Sequence, residues 1–353
     1  MSKDRYVAYV GTYTHGTSIG IHLYDVDVEQ GLMKERKVVP INNSSHLTKA
    51  HNKQFLYSIS DEGVESFRIL PDGDLESINK VGIEGMRGCF VSTDATDQFL
   101  FVGGYHDGKV TVLRIQPDGS IGAITDGIFH KGLGSVAERN FRPHISCVRM
   151  TPDQKYLCVV DNGVDHVNLY RLDHKTGKLN LVDILRCELE SGPRLIMFSR
   201  DGRFAYVICE LKNYIDVYSY DGSGKLPVFE KLQRVDTRMD LKETACAAAG
   251  MKISRDGNYL YCSSAGDNSV SIFKINPDSG CLDRLCALPV SGSYPKDIEV
   301  FPDDRTLVVL NHESNEIRTF RVDYEKKLFV EKGRPLRVDT PNSILISKLY
   351  PAK

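Results

Sequence analysis

The feature that most constrains the fold of this chain is a sequence unit that recurs about every fifty residues. Each copy contains a small or proline-containing turn, an apolar strand-like run, a polar turn and a second apolar run. The copies read SSHLTKAHNKQFLYSIS, RGCFVSTDATDQFLFVGG, HISCVRMTPDQKYLCVVD, PRLIMFSRDGRFAYVIC, AGMKISRDGNYLYCSS and PKDIEVFPDDRTLVVLN. The central residues of the second apolar runs are Leu56, Leu100, Leu157, Ala205, Leu260 and Leu307. Such a period indicates a repeat architecture.

Further short strands lie between the copies. They include VTVLRIQ, VNLYRLD, IDVYSYD, VSIFKIN and IRTFRVD, each followed by a turn. Each unit therefore has four predicted strands, and helical periodicity does not persist anywhere in the chain. Four-stranded units at this period are typical of the blades of a β-propeller, which surround a central channel.

The seventh unit is split between the two ends of the sequence. Tyr6–Thr14 resembles a second strand without a first, and Pro341–Ser347 resembles a first strand without a second. Pairing the two completes a seventh blade and removes an open sheet edge. The sequence thus predicts an all-β, seven-bladed β-propeller of four-stranded antiparallel blades, with residues 1–353 as a single domain closed by its N- and C-terminal strands.

Charge and composition exclude several functional classes. The formal net charge is −2 and the pI is about 6.6, so no basic field attracts nucleic acid or anionic lipid. The sequence has no apolar stretch long enough to span a bilayer and no secretory signal pattern. We therefore expect a cytoplasmic protein, and a monomer because a closed propeller leaves few free edges.

The nine cysteines do not indicate a disulfide framework, because their number is odd and several lie in apolar strand-like runs. Cys281 and Cys286 lack a nearby Cys/His pair that would complete a zinc site. We predict no metal and no cofactor.

Several short motifs resemble those of one family. They are YVGTYT at 9–14, HKGLG at 130–134, Arg-Pro-His at 142–144, Gly-Pro-Arg at 192–194 and Cys-Glu-Leu at 209–211. Together they resemble the lactonase family of seven-bladed propellers, which includes 6-phosphogluconolactonases of the propeller type and 3-carboxy-cis,cis-muconate lactonizing enzyme. The resemblance implies a site in the channel mouth that opens or closes a lactone ring without metal.

Aligning the units on their central residues predicts which side chains face the channel. Two rings of equivalent positions emerge, and both are rich in polar residues. Eleven residues before the central position lie Ser45, Cys89, Ser146, Arg194, Ala249 and Lys296, and five residues after it lie Asp61, Tyr105, Asn162, Glu210, Ala265 and His312. We expect these rings to form the functional pocket.

The resemblance implies that Arg194 and Glu210 are catalytic. Ser146 and Ala265 stand where the family has a His and a second Arg, and Leu195 replaces a further His. His144 precedes Ser146 by two residues, and side chains at i and i+2 share a face of a strand. His144 is therefore a third catalytic candidate, with a turn-capping role as its alternative.

Lactone hydrolysis assigns a role to each candidate. Glu210 or His144 would accept the proton of the attacking water, and Arg194 would stabilise the oxyanion or hold a carboxylate or phosphate. Lys296, Asp61, Asn162, His312, Ser146 and Tyr105 are candidate substrate-binding residues. The alternatives are a purely structural ion pair between Arg194 and Glu210, and a solvated rim position for Lys296.

We therefore expect a lactonase that hydrolyses a small anionic sugar lactone such as 6-phosphogluconolactone, with a small-molecule lactone or sugar acid as its partner. The alternative is a propeller that has lost the chemistry and acts as a ligand-binding or protein-interaction module. A repeat scaffold of the WD type fits less well because the chain contains no Trp.

Overall fold

The computed structural model describes residues 4–135, 140–239 and 247–350. These residues form 28 β-strands in seven four-stranded antiparallel sheets and contain no helix. None of them therefore belongs to a helix able to cross a membrane. The seven sheets are the blades of a β-propeller arranged in a ring, which confirms the predicted fold class.

The strands follow the chain blade by blade, and we number the blades in the same order. Blade 1 holds β1 (Tyr6–Thr12), β2 (Gly20–Asp27), β3 (Leu32–Pro40) and β28 (Pro341–Lys348); blade 2 holds β4 (Leu47–Lys49), β5 (Phe55–Ser60), β6 (Gly63–Ile69) and β7 (Leu75–Val81); blade 3 holds β8 (Phe90–Thr93), β9 (Phe99–Gly103), β10 (Lys109–Ile115) and β11 (Ile121–Phe129); blade 4 holds β12 (Ile145–Met150), β13 (Tyr156–Asp161), β14 (His166–Leu172) and β15 (Leu179–Arg186).

The remaining blades repeat the pattern. Blade 5 holds β16 (Pro193–Phe198), β17 (Phe204–Cys209), β18 (Tyr214–Asp221) and β19 (Val228–Asp236); blade 6 holds β20 (Ala248–Ile253), β21 (Tyr259–Ser264), β22 (Ser269–Ile275) and β23 (Leu282–Pro289); blade 7 holds β24 (Pro295–Val300), β25 (Thr306–Asn311), β26 (Glu316–Asp323) and β27 (Leu328–Arg337).

The ring closes in blade 1, as the split seventh unit predicts. Strand β28 pairs with β1 in antiparallel register, with Val10 opposite Ile344 and Ala8 opposite Ile346. The paired strands bury the side chains of all four of these residues. The closure is therefore both hydrogen-bonded and hydrophobic.

The core lies between adjacent blades, and the second strand of each blade is its most buried part. Every residue of β5, β13, β17 and β25 is buried. A strand covered on both faces is mostly apolar, which explains why these runs lack regular polar alternation. The turns between strands also pack on neighbours: Gly119 has a φ of +86°, and a Cβ there would lie 2.2 Å from Phe55 of blade 2.

Candidate functional site in the axial channel

A cavity of about 550 Å³ is lined by residues from all seven blades of the ring. The first strand of each blade forms its wall. Five of the six side chains of the predicted first ring line it: Cys89, Ser146, Arg194, Ala249 and Lys296. The equivalent-position argument thus predicted most of this ring.

A β-bulge explains why these positions face the channel. In blade 5, Pro193 lies opposite Cys209 and Leu195 opposite Ile208, so Arg194 is an extra residue in the wall strand. The same irregularity makes Ser146 of blade 4 and Lys296 of blade 7 extra residues. A bulge interrupts strand alternation and re-aims the side chain it carries. The repeated bulge therefore presents a ring of side chains to the channel.

Arg194 and Glu210 meet at one end of the cavity. Arg194 Nη1 donates a hydrogen bond to Glu210 Oε2, and Arg194 Nε donates to the backbone carbonyl of Ala249 at 3.1 Å. Both side chains are mostly buried, with 22% and 8% exposure. Burial opposes the charge of Arg194, but the Glu210 carboxylate outweighs it and raises the pKa of the guanidinium. The guanidinium is therefore fixed as a cation, and two of its three nitrogens are held by partners within the protein.

Ser146, which stands where the family has a His, supports the Arg194–Glu210 pair through the backbone of Arg194. Its hydroxyl donates to the backbone carbonyl of Arg194 at 2.8 Å, so it joins the walls of blades 4 and 5. Lys296 and Tyr105 also line the cavity, with the Lys296 ammonium 5.4 Å from the ring centre of Tyr294.

Two further residues at this end were not among the predicted set. Arg87 and Tyr13 line the cavity, and the Arg87 guanidinium lies 5.1 Å from the ring centre of Tyr13. Arg87 also pairs with Asp61 at 3.2 Å. Burial raises the pKa of Tyr13, although both Arg87 and Arg194 oppose this rise. We call this end of the cavity, which holds Arg194 and Glu210, the mouth. Arg87 is a second arginine at the mouth, whereas Ala265, which stands where the family has its second Arg, is buried outside the cavity lining.

His144 does not line the cavity. Its Nδ1 donates to the backbone carbonyl of Tyr105 at 2.6 Å, and its ring stacks on that of Tyr105 at 4.4 Å. The shared face expected for His144 and Ser146 requires regular alternation, which the bulge at Ser146 breaks. The expectation that His144 reaches the pocket is corrected accordingly, and the imidazole instead braces the turn that carries Tyr105.

The second predicted ring reaches the channel only in part, through Tyr105 and Glu210. All six of its positions lie in the turn that follows the second strand, one strand further from the axis. Asp61 binds Asn43 Nδ2 at 2.8 Å and Arg87, so it contacts the site only through Arg87. Asn162 donates to the carbonyl of Gly192 at 3.2 Å and joins blades 4 and 5.

His312 lies behind the rings that line the mouth. Its ring centre is 5.7 Å from that of Tyr13 and 6.0 Å from that of Tyr294, and its Nδ1 donates to the carbonyl of Pro341 at 3.1 Å. Burial lowers the pKa of His312, so the ring is a neutral support. Direct substrate contacts by Asp61, Asn162 and His312 would require them to leave these positions. Ser45 of the first ring is likewise buried outside the cavity lining.

The other end of the same cavity holds a second polar cluster, which we call the inner cluster and define as His46, Arg149, Lys252 and Asp297. The amide of Val91 donates to His46 Nδ1 at 3.2 Å, which places the proton of a neutral imidazole on Nε2. Lys252 Nζ donates to Glu299 at 3.2 Å. Arg149 and Lys252 lie eight residues before the central positions of their units, a third ring that the same alignment would have found.

We expect the inner cluster to make stability depend on pH through His46. Burial, and then the charges of Lys252 and Arg149, lower the pKa of His46 from 6.5 to about 3. Its stabilising contribution is complete above pH 6.5 and is lost as pH falls toward 3, because the unfolded chain takes up a proton that the fold excludes. The largest slope is about 1.4 kcal/mol per pH unit.

Urea unfolding at pH 7 and pH 5 measures this effect against His46→Asn, whose side-chain carbonyl can still accept from Val91. We expect acidification to destabilise the wild type more than the variant, by up to about 2 kcal/mol. Equal losses in both proteins would contradict the assignment.

In the part of the chain that the structure describes, no group of three or more His, Cys, Asp and Glu side chains is placed to hold a metal ion. The eight described cysteines are free thiols. His130, from the HKGLG motif, is buried and its Nδ1 contacts Asp161 at 2.7 Å, so its role is to brace blade 4.

The fold and this site define a seven-bladed propeller with a polar axial pocket built on an arginine–glutamate pair. The family model described as "Lactonase, 7-bladed beta-propeller" matches residues 7–346. The chain therefore belongs to the lactonase family of seven-bladed β-propellers, as its motifs predict.

Named relatives agree with this assignment. The 6-phosphogluconolactonase of Bacillus subtilis is 31% identical over 327 residues, covering 91% of this chain and 92% of the relative. The periplasmic gluconolactonase PpgL of Pseudomonas aeruginosa has a similar structure, with a TM-score of 0.92, 28% identity and coverage of 98% of this chain and all of that chain. A putative 6-phosphogluconolactonase from Bacteroides fragilis has a TM-score of 0.89 at 26% identity, with 98% and 99% coverage.

Proposed function

We propose that this protein hydrolyses a small anionic sugar lactone, of the 6-phosphogluconolactone type, in its axial cavity and without a metal ion. One observation carries the proposal: Glu210 fixes the Arg194 guanidinium at the cavity wall, where a cation and a carboxylate face the same space. Lactone hydrolysis needs both, because a proton leaves water while negative charge grows on the carbonyl oxygen.

The reaction divides between these two side chains. Water attacks the lactone carbonyl carbon and gives its proton to the Glu210 carboxylate, and the carbonyl oxygen becomes an oxyanion beside Arg194. The bond between this carbon and the ring oxygen then breaks, and the ring oxygen takes the proton from Glu210. The product is an open-chain hydroxy acid, and Glu210 is returned as a carboxylate.

The charges at the mouth support an anionic substrate. Arg87, Arg194 and Lys296 line this end of the cavity. A carboxylate, such as the one that forms when the lactone opens, binds an arginine fork through paired hydrogen bonds. The name of the Bacillus subtilis relative supports a phosphorylated sugar lactone. Arg87 supplies a second arginine at the mouth, because Ala265 stands where the family has its second Arg.

One observation favours the alternative, a module that binds a sugar acid without reacting. His144 is held by the Tyr105 carbonyl away from the cavity lining, so the pocket has one candidate base rather than two. A binding module would hold the open-chain acid and would leave the lactone to open at its spontaneous rate.

Hydrolysis of freshly generated 6-phosphogluconolactone, followed by pH-stat or NMR, distinguishes the two. The control without protein is essential because this lactone also opens spontaneously. We expect acceleration by the wild type, with a higher kcat/KM for the phosphorylated lactone than for gluconolactone. Rates equal to the background for both lactones would reject the enzyme and favour the binding module.

A further inference from the structure

The inner cluster contains an arginine that the protein itself does not neutralise. Arg149 is half-buried at the cavity wall, and its Nε is buried without a hydrogen-bond partner. Among the described residues it makes no ion pair. Its described contacts are with neutral groups: the Cys147 thiol, whose pKa is raised by burial although Arg149 opposes this rise, and the Phe90 ring, whose centre lies 5.9 Å from the guanidinium. A partly buried guanidinium with one nitrogen unsatisfied and no anion beside it is poorly stabilised by the protein, which points to an anionic ligand.

The other members of the inner cluster do not neutralise the positive charge of Arg149. Lys252 pairs with Glu299, and the Asp297 carboxyl accepts the backbone N–H groups of Ile298 at 2.9 Å and Ile344 at 3.0 Å. Burial raises the pKa of Asp297, although Lys252 opposes this rise. The acidic groups here thus have partners other than Arg149.

His46 adds a neutral hydrogen-bond donor to the positively charged Arg149. Because its Nδ1 accepts from Val91, its Nε2 carries the proton. His46, Arg149 and Lys252 all line the same cavity, and burial and then the charges of Lys252 and Arg149 lower the pKa of the imidazole. A cation with a planar fork, an ammonium and a neutral N–H donor together suit a tetrahedral oxyanion.

We propose that Arg149, Lys252 and His46 form an anion subsite in the channel, which binds the phosphate monoester of a substrate whose lactone carbonyl lies at Arg194. The inference rests on the proposed function for the identity of the reacting group. It adds the position of the phosphate group, which binds at the inner end of the cavity and not beside Arg87 and Lys296.

The spacing along the wall fits such a substrate. Ser146 and Arg149 lie three residues apart on β12, which corresponds to about 10 Å along the strand. In a lactone closed through its 5-hydroxyl, only the ring oxygen and C5 separate the carbonyl carbon from C6, so a 6-phosphate lies close to the carbonyl. The long side chains of Arg149 and Arg194 have to span the rest of this distance. The bulge at Ser146 brings both residues to the channel side although they are an odd number of positions apart.

Isothermal titration calorimetry on the full chain tests the subsite directly. The probes are 6-phosphogluconate, gluconate and inorganic phosphate, and the proteins are the wild type, Arg149→Gln, Arg149→Lys and Arg186→Gln. Arg186 is an exposed arginine on the outer strand of the same blade and serves as the matched control. Circular dichroism first verifies that each variant is folded.

We expect the wild type and Arg186→Gln to bind 6-phosphogluconate at least about tenfold more tightly than gluconate, because the phosphate gains charge-assisted hydrogen bonds. Arg149→Gln is expected to lose this preference, and Arg149→Lys to keep part of it. Binding of inorganic phosphate alone should weaken in the same order. The absence of a preference in the wild type, or its survival in folded Arg149→Gln, would overturn the subsite.

The lactone assay separates this inference from the proposed function. If the wild type fails to hydrolyse either lactone but keeps an Arg149-dependent preference for the phosphorylated acid, the subsite stands and the lactonase proposal fails. If both lactones are hydrolysed with the same KM, and Arg149→Gln leaves that KM unchanged, the lactonase proposal stands and the subsite fails.

Discussion

Replacing Glu210 with glutamine is expected to lower kcat for lactone hydrolysis by about 10² to 10⁴-fold, the usual range for the loss of a general base. Glutamine keeps the size of the side chain and an oxygen that can accept from Arg194, but it cannot take a proton from water. Arg194→Gln is expected to cost about 10² to 10³-fold, as for the loss of one oxyanion donor. Steady-state kinetics, corrected for spontaneous opening, measures both changes.

A second ion pair provides the matched control. Arg321 and Asp303 pair at 2.5 Å on blade 7 and do not line the cavity. Arg321→Gln and Asp303→Asn should leave kcat within about twofold of the wild type, since neither residue meets the substrate. Full activity in Glu210→Gln would show that another group takes the proton, and full activity in Arg194→Gln would reject the oxyanion role.

Shortening the chain to residues 1–340 is expected to abolish the folded state. The loss of β28 removes the buried side chains of Ile344 and Ile346 and leaves β1 as an open edge. Each lost aliphatic side chain costs about 2 to 5 kcal/mol, and a typical domain has only about 5 to 15 kcal/mol of stability. Soluble yield and far-ultraviolet circular dichroism measure the outcome.

A circular permutant tests whether folding depends on the contacts of β28 or on the order of the strands along the chain. Tyr6 pairs with Lys348, so a short linker can join these positions and new ends can be placed between β23 and β24. This variant keeps every strand pair and should fold with an unfolding midpoint close to that of the wild type. A soluble, fully folded 1–340 chain would show that closure by β28 is dispensable.

The repeat made the fold predictable from the sequence. Leu157 and Leu307 anchor copies of one four-strand unit, and the unpaired runs at 6–14 and 341–347 identify the closure. Both inferences need only periodicity and the rule that sheet edges are paired. They depend on no side-chain orientation, and the structure confirms them.

The site was less predictable because the wall strands are irregular. Arg194 and Lys296 were found since the bulge recurs at equivalent positions, and equivalence does not require the direction of each side chain to be known. His144 was placed by strict two-residue alternation, which the bulge at Ser146 interrupts. Arg149 was missed because only two rings of equivalent positions were considered; the ring eight residues before the central positions contains it.

The closure in blade 1 also has a consequence for biosynthesis. Lys348 and Asp4 form an ion pair although they lie 344 positions apart in the chain. As the protein leaves the ribosome, β1 emerges before blades 2 to 7 and waits without its partner until β28 emerges after them. Blades 2 to 7 draw all their strands from contiguous sequence, so they can assemble while translation continues. The ring therefore becomes complete only after the six other blades have been synthesised, and that delay is when the nascent chain is most exposed to misassembly.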